Sequence, residues 1–228
     1  MATKIEFKAR SGAAASGEIA VPAHDGRPEK APGLVLVQEW WGVNDHIRSL
    51  ADRFAAAGFL TLAPDLYHGT VTKDANEATQ LMNALDGKRA MDDIAGAVAA
   101  LAADPRANGK VGIVGFCMGG AYTLAAVSAI PELAAAVPFY GIPPAERVDF
   151  AKMKAPILAH VATRDQWVTV ARMEEVKKGI DAHQGSMRVE VYEADHAFVN
   201  DTRPEVYAPE AAKLAWDRTV AFLHQHLG

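Results

Sequence analysis

Apolar and polar residues alternate along residues 4–9 ("KIEFKA") and 17–22 ("GEIAVP"). A period of two predicts strands with one wet face, and the turn-like "RSGAAAS" between them predicts an antiparallel hairpin at a sheet edge. Turn residues fill 23–33, and the unbroken apolar run that follows, "LVLVQE", predicts a strand buried on both faces. Ile47, Leu50 and Phe54 then recur at helical spacing, with Asn44 as N-cap and Gly58 as the stop. A strand over "FLTLAP" leads to the helical stretch 72–104, interrupted near Asp86 and Gly87. "KVGIVGF" is again a buried strand, followed by a helix from Met118 to Ile130. Strands in "AAVPFYG", "APILAHVA" and "MRVEVY" come next, with a helix over 168–182 between the last two. A closing helix begins near Pro209, with Trp216, Val220 and Leu223 on one face.

Strands alternating with helical crossovers predict an α/β fold: a mostly parallel central sheet, helices on both faces, and the antiparallel hairpin at its N-terminal edge. With 228 residues, half of them hydrophobic, the chain can bury one core, and a single domain over 1–228 is expected. The net charge of -5 offers no electrostatic footprint for nucleic acid or an anionic membrane surface. The N-terminus has no apolar run resembling a secretory signal, and no later segment has the length of a membrane helix. A cytoplasmic monomer acting on a small molecule is the resulting expectation. Zinc-type spacings are missing too; His224 and His226 stand at i and i+2, which face apart on a helix.

Chemistry enters with the single cysteine of the chain, in "VGIVGFCMGGAY". Cys117 lies between a buried strand and a helix, in the pattern G-x-C-x-G of a nucleophile elbow, where flanking glycines let the two backbones approach closely. For the pentapeptide alone, a buried structural cysteine is the competing reading. A nucleophilic thiol needs a base, and the base an orienting acid. Asp165 follows one later strand in "TRDQWV", and His196 follows the next in "DHAF", in the chain order nucleophile, acid, histidine. Asp195 is a rival acid, but neighbouring side chains usually diverge. Backbone amides of Met118 and of Trp40, in "QEWWG", fit by position as donors to a developing oxyanion.

These segments, "QEWWGVNDHIR", "PDLYHG", "GKVGIVGFCMGGA", "TRDQWV" and "DHAF", make the chain resemble the dienelactone hydrolase family, the cysteine-dependent branch of the α/β hydrolases, from about Ile19 onward. The resemblance implies Cys117 as nucleophile, Asp165 and His196 as its partners, and Glu39 as a carboxylate that contacts and helps activate the thiol. It implies hydrolysis of lactones or small esters through a thioester, without metal or organic cofactor. Family members acting on dienelactone hold its carboxylate with two arginines, one in the helical insertion and one four residues beyond the histidine. Here 68–87 contains no arginine and the latter position is Asn200. Lys73, Lys88, Arg89 and Arg203 are the available substitutes. Trp41, Phe116, Tyr140, Trp167 and Phe198, with Asn200, suggest instead an aromatic pocket for a less anionic substrate. Acyl transfer to another acceptor, or a silent thiol-sensing relative, are the alternatives.

Overall fold

The apolar run after the first turn becomes β3 (Ala31–Val37), buried along its whole length. A computed structural model describes residues 1–23 and 30–228; most of the turn expected over 23–33 lies outside the described residues. Around β3 the chain forms β1 (Thr3–Lys8), β2 (Ala14–Ala20), β4 (Leu60–Pro64), β5 (Ala107–Phe116), β6 (Leu133–Phe139), β7 (Ile157–Ala162) and β8 (Met187–Tyr192). Hydrogen-bonded neighbours run β1-β2-β4-β3-β5-β6-β7-β8 in one sheet. β1 pairs β2 and β2 pairs β4 antiparallel, whereas β3 pairs β4, and β7 pairs both β6 and β8, in parallel. The fold is α/β with a mixed sheet, as its alternating pattern predicts.

The chain divides into two compact units, residues 1–113 with 227–228, and residues 114–226. In the first, α1 (Asp45–Ala56) starts where Asn44 Oδ1 accepts from the Ile47 amide at 3.1 Å, and the buried Ile47, Leu50 and Phe54 line one face. Asp86 caps α3 (Gly87–Ala103), accepting from the amides of Lys88 and Arg89, and so separates it from α2 (Ala75–Ala84). Two details depart from the hydrophobic pattern. The hairpin turn is shorter than "RSGAAAS", because Lys8 pairs with Ala14 and only residues 9–13 turn, with Gly12 at φ +85°. β2 also lacks a wet face: its last four residues are buried, and Glu18 among them meets Arg48 of α1 at 3.3 Å.

In the second unit, α4 (Met118–Ala129) follows β5, α5 (Val170–Ala182) joins β7 to β8, and α6 (Pro209–Leu227) closes the chain. α5 begins two residues later than expected because Thr169 caps it, accepting from the Arg172 amide. The buried side of α6 is Ala212, Ala215, Thr219, Phe222, Leu223 and Leu227, with Trp216 and Val220 at its margin. A polar residue shifts that face: Thr219 Oγ1 lies 3.0 Å from the fully buried His160 Nε2. Among the described residues, no helix is long and apolar enough to cross a membrane.

Candidate active site

β5 ends at Phe116 and α4 begins at Met118, so Cys117 alone carries the chain from strand to helix, at φ 56°. For a residue with a Cβ this left-handed conformation costs roughly 1 kcal/mol or more. Close backbone packing holds it in place. A Cβ on Gly115 would stand 2.2 Å from the Gly119 carbonyl oxygen, and one on Gly141 would stand 2.3 Å from the carbonyl oxygen of Cys117 itself. The Cys117 amide donates to Phe139 O at 3.1 Å, and Cys117 O accepts from Ala121 at 3.1 Å. The thiol is left half-buried at the N-terminal, positive end of the α4 helix dipole.

Asp165 and His196 stand on the loops after β7 and β8. Asp165 Oδ1 accepts from the amides of Trp167 and Val168 at 2.8 and 2.9 Å, which orients the carboxylate and leaves Oδ2 to accept from His196 Nδ1 at 2.6 Å. With Nδ1 so engaged, Nε2 is the nitrogen for the His196 hydrogen bond to Cys117. Burial raises the Asp165 carboxyl, but hydrogen bonds from His196 and the two amides prevail and hold it below the usual range. Burial likewise disfavours the His196 cation, yet hydrogen bonds to Asp165 and Cys117, with the attraction of their charges, push its pKa up to about 10. An imidazole so shifted holds its proton at neutral pH.

Aromatic rings frame this imidazole. The Tyr140 ring lies 4.9 Å from it, and Trp167 meets it edge-on at 5.1 Å. Phe198 packs 5.7 Å from Tyr140 and is fully buried, as is Tyr140. Trp167 is 70% exposed. Phe116 stacks on Phe139 at 4.6 Å within the core. Asn200 is buried, its Oδ1 accepting from the amide and hydroxyl of Thr202.

The dienelactone hydrolase family model matches residues 19–227. The chain belongs to the dienelactone hydrolase family. It is thus an ester-bond hydrolase of the α/β-hydrolase superfamily. Family relatives include the protein usf of Aquifex pyrophilus, 34% identical with both chains covered completely. The probable 2-oxo-3-(5-oxofuran-2-ylidene)propanoate lactonase of Bradyrhizobium sp is 32% identical over 87% of this chain and 85% of its own. Among solved structures, a dienelactone hydrolase-like promiscuous phosphotriesterase from metagenomic libraries superposes with a TM-score of 0.85 at 25% identity, covering 100% of this chain and 99% of that one.

Glu39, Trp40 and Trp41 lie in the first unit, and Met118, the first residue of α4, in the second. Glu39 is buried just past β3, beside Gln38, whose Oε1 accepts from the Leu66 amide at 3.1 Å. Trp40 and Trp41 meet edge-on at 4.8 Å, and Trp41 O accepts from Thr72 at 3.1 Å. Asp195, the rival acid, points elsewhere: its carboxylate engages Arg164 at two points, 3.1 and 3.0 Å. Sequence reasoning passed over Gly141 and Arg164. The signals were there, a glycine directly after the β6 apolar run and an arginine directly before the acid.

Proposed function

We propose that this chain hydrolyses lactones or small carboxylic esters with Cys117 as nucleophile, His196 as acid and base, and Asp165 as the orienting acid. The supporting observation is the strained, half-buried thiol hydrogen-bonded to a histidine whose other nitrogen is held at 2.6 Å by a buried carboxylate. In acylation the Cys117 thiolate attacks the carbonyl carbon, forming the S–C bond. The ester C–O bond then breaks as His196 Nε2 gives its proton to the departing oxygen. Neutral His196 next takes a proton from water, whose oxygen attacks the thioester; the C–S bond breaks and the acid product leaves. The amides of Met118 and Trp40 are our assignment for the oxyanion donors, and Glu39 for a carboxylate that assists thiol activation.

The preferred substrate in this reading carries less negative charge than dienelactone. Three of the four candidate cations are committed to the chain's own carboxylates: Lys88 to Asp92 at 3.1 Å, Arg89 to Asp93 at 2.8 Å, and Arg203 to Glu205 at 2.8 Å. A substrate carboxylate would have to compete with a carboxylate of the chain itself at each of these cations. Hydrolysis of a neutral lactone and of its carboxylated analogue, by native protein and by Cys117→Ala, tests both parts. Loss of at least about a thousandfold in turnover is expected for the variant, with the neutral lactone preferred by the native enzyme. Equal rates for the two proteins would remove Cys117 from the reaction, and a strong preference for the carboxylated lactone would overturn the substrate class.

A further inference from the structure

The pairing of β7 and β8 does not stop where the strands do. Their parallel register ends at Ala162 opposite Tyr192, and the Thr163 amide still donates to Tyr192 O at 2.9 Å, then the Arg164 amide to Ala194 O at 3.1 Å. Two side-chain bridges continue the series. Arg164 Nε and Nη2 meet the two Asp195 oxygens at 3.1 and 3.0 Å, and one residue later Asp165 meets His196 at 2.6 Å. Thr163 Oγ1 adds a bond to Glu193 Oε2 at 3.1 Å.

Beyond the strand ends the chain turns at residues 163–164 and bends at 193–194, and the side chains there divide by exposure: those of Arg164 and Asp195 are 54% and 47% exposed, whereas those of Asp165 and His196 are 0% and 15% exposed. One bridge therefore lies outside the paired loops and the other inside, one residue apart on both loops. A single bridge acts as a hinge about which two loops can twist. Two bridges on opposite sides resist that twist.

We propose that Arg164 and Asp195 are positioning residues for the catalytic pair, their two-point bridge holding the loops after β7 and β8 so that Asp165 keeps His196 aimed at Cys117. This rests on the triad reading above. The arrangement accounts for a bidentate fork at a solvent-exposed place, where an ion pair adds little to global stability but where small displacements of a reacting group lower rates strongly. The planar guanidinium matters, because it fixes orientation as well as distance.

The test compares native protein with Arg164→Met, Asp195→Asn and the exchanged pair Arg164→Asp/Asp195→Arg, on the neutral lactone. Each single variant is expected to lower kcat by about threefold to tenfold with KM within about twofold, and Tm within about 2 °C. The exchanged pair should recover most of the lost kcat. Native-state hydrogen exchange should show faster exchange of the amides of Trp167 and Val168, which donate to Asp165, in the single variants and restored protection in the exchanged pair. Single variants with native kcat, or an exchanged pair as slow as the product of the two losses, would overturn the proposal. So would unchanged protection of those amides. Cys117→Ala in the same assay reports separately on the triad: turnover surviving there sinks that reading, while the exchange measurement still judges the bridge.

Discussion

His196 decides the pH behaviour of the proposed reaction. Its pKa, about 10, owes its elevation first to the Asp165 hydrogen bond and then to Cys117, both acting against burial. In the triad mechanism the protonated imidazole gives the leaving group its proton, so acylation should hold across neutral pH and fail as pH rises through about 10. In Asp165→Asn the leading elevating interaction loses its charge, and the imidazole pKa falls toward the ordinary histidine range. A kcat/KM profile of this variant should place the alkaline limb at least about one pH unit lower than in native protein. An unmoved limb would remove Asp165 from its assigned role. At this scale the sequence was legible where chain order restricts chemistry: one cysteine, then an acid and a histidine each after a strand. The backbone donors of Trp167 and Val168 and the Arg164 bridge were not, since main-chain amides have no signature and partners 31 residues apart obey no local period.

Elements came through in proportion to how local their causes are. The Asn44 cap, the break at Asp86 and the buried stripe of α1 arise from contacts within a few residues, and the pattern located each of them, though not that Asp86 caps α3. The limits of β2 depend on β1 and β4, and the buried face of α6 on His160, so a one-dimensional pattern displaced both. The elbow between β5 and α4 combines the two kinds of cause. Gly115 belongs to the local motif, whereas Gly141 reaches Cys117 O from the end of β6, across the paired main chains. Gly141→Ala would drive a methyl into backbone atoms at 2.3 Å, where nothing flexible can give way. A loss of about 1–3 kcal/mol is expected in denaturant unfolding, with kcat falling as the elbow shifts. Native stability and turnover in this variant would show that the close approach is not required.

For the molecule as a whole, two histidines set opposing slopes of stability against pH. His160 is fully buried, between Tyr192 OH at 2.8 Å, Thr219 Oγ1 at 3.0 Å and the Phe139 ring, with the Arg218 and Arg188 charges nearby. Burial first, then those two charges, push its pKa down to about 3. Between there and an unfolded value of about 6.5, the unfolded chain binds the extra proton, so stability falls as pH drops. His196 does the reverse. Its folded value, about 10, lies above the unfolded one, so its contribution is complete below about 6.5 and is lost as pH rises through about 10. The two terms together place a stability maximum near the ordinary histidine pKa, with each flank owed to a different residue. Each titrating group adds a slope of at most about 1.4 kcal/mol per pH unit. Urea unfolding at intervals across both flanks separates them. His160→Gln keeps polar contacts for Tyr192 and Thr219 but cannot take a proton, so the acid-side slope should flatten while the alkaline side is unchanged. His196→Gln should flatten the alkaline side alone. Carboxylates that titrate on the acid flank are common to native protein and the His160 variant, and they cancel in the difference. Parallel native and variant curves on the acid side would mean that His160 takes its proton without cost when folded, contrary to its burial between two hydroxyls and an aromatic ring.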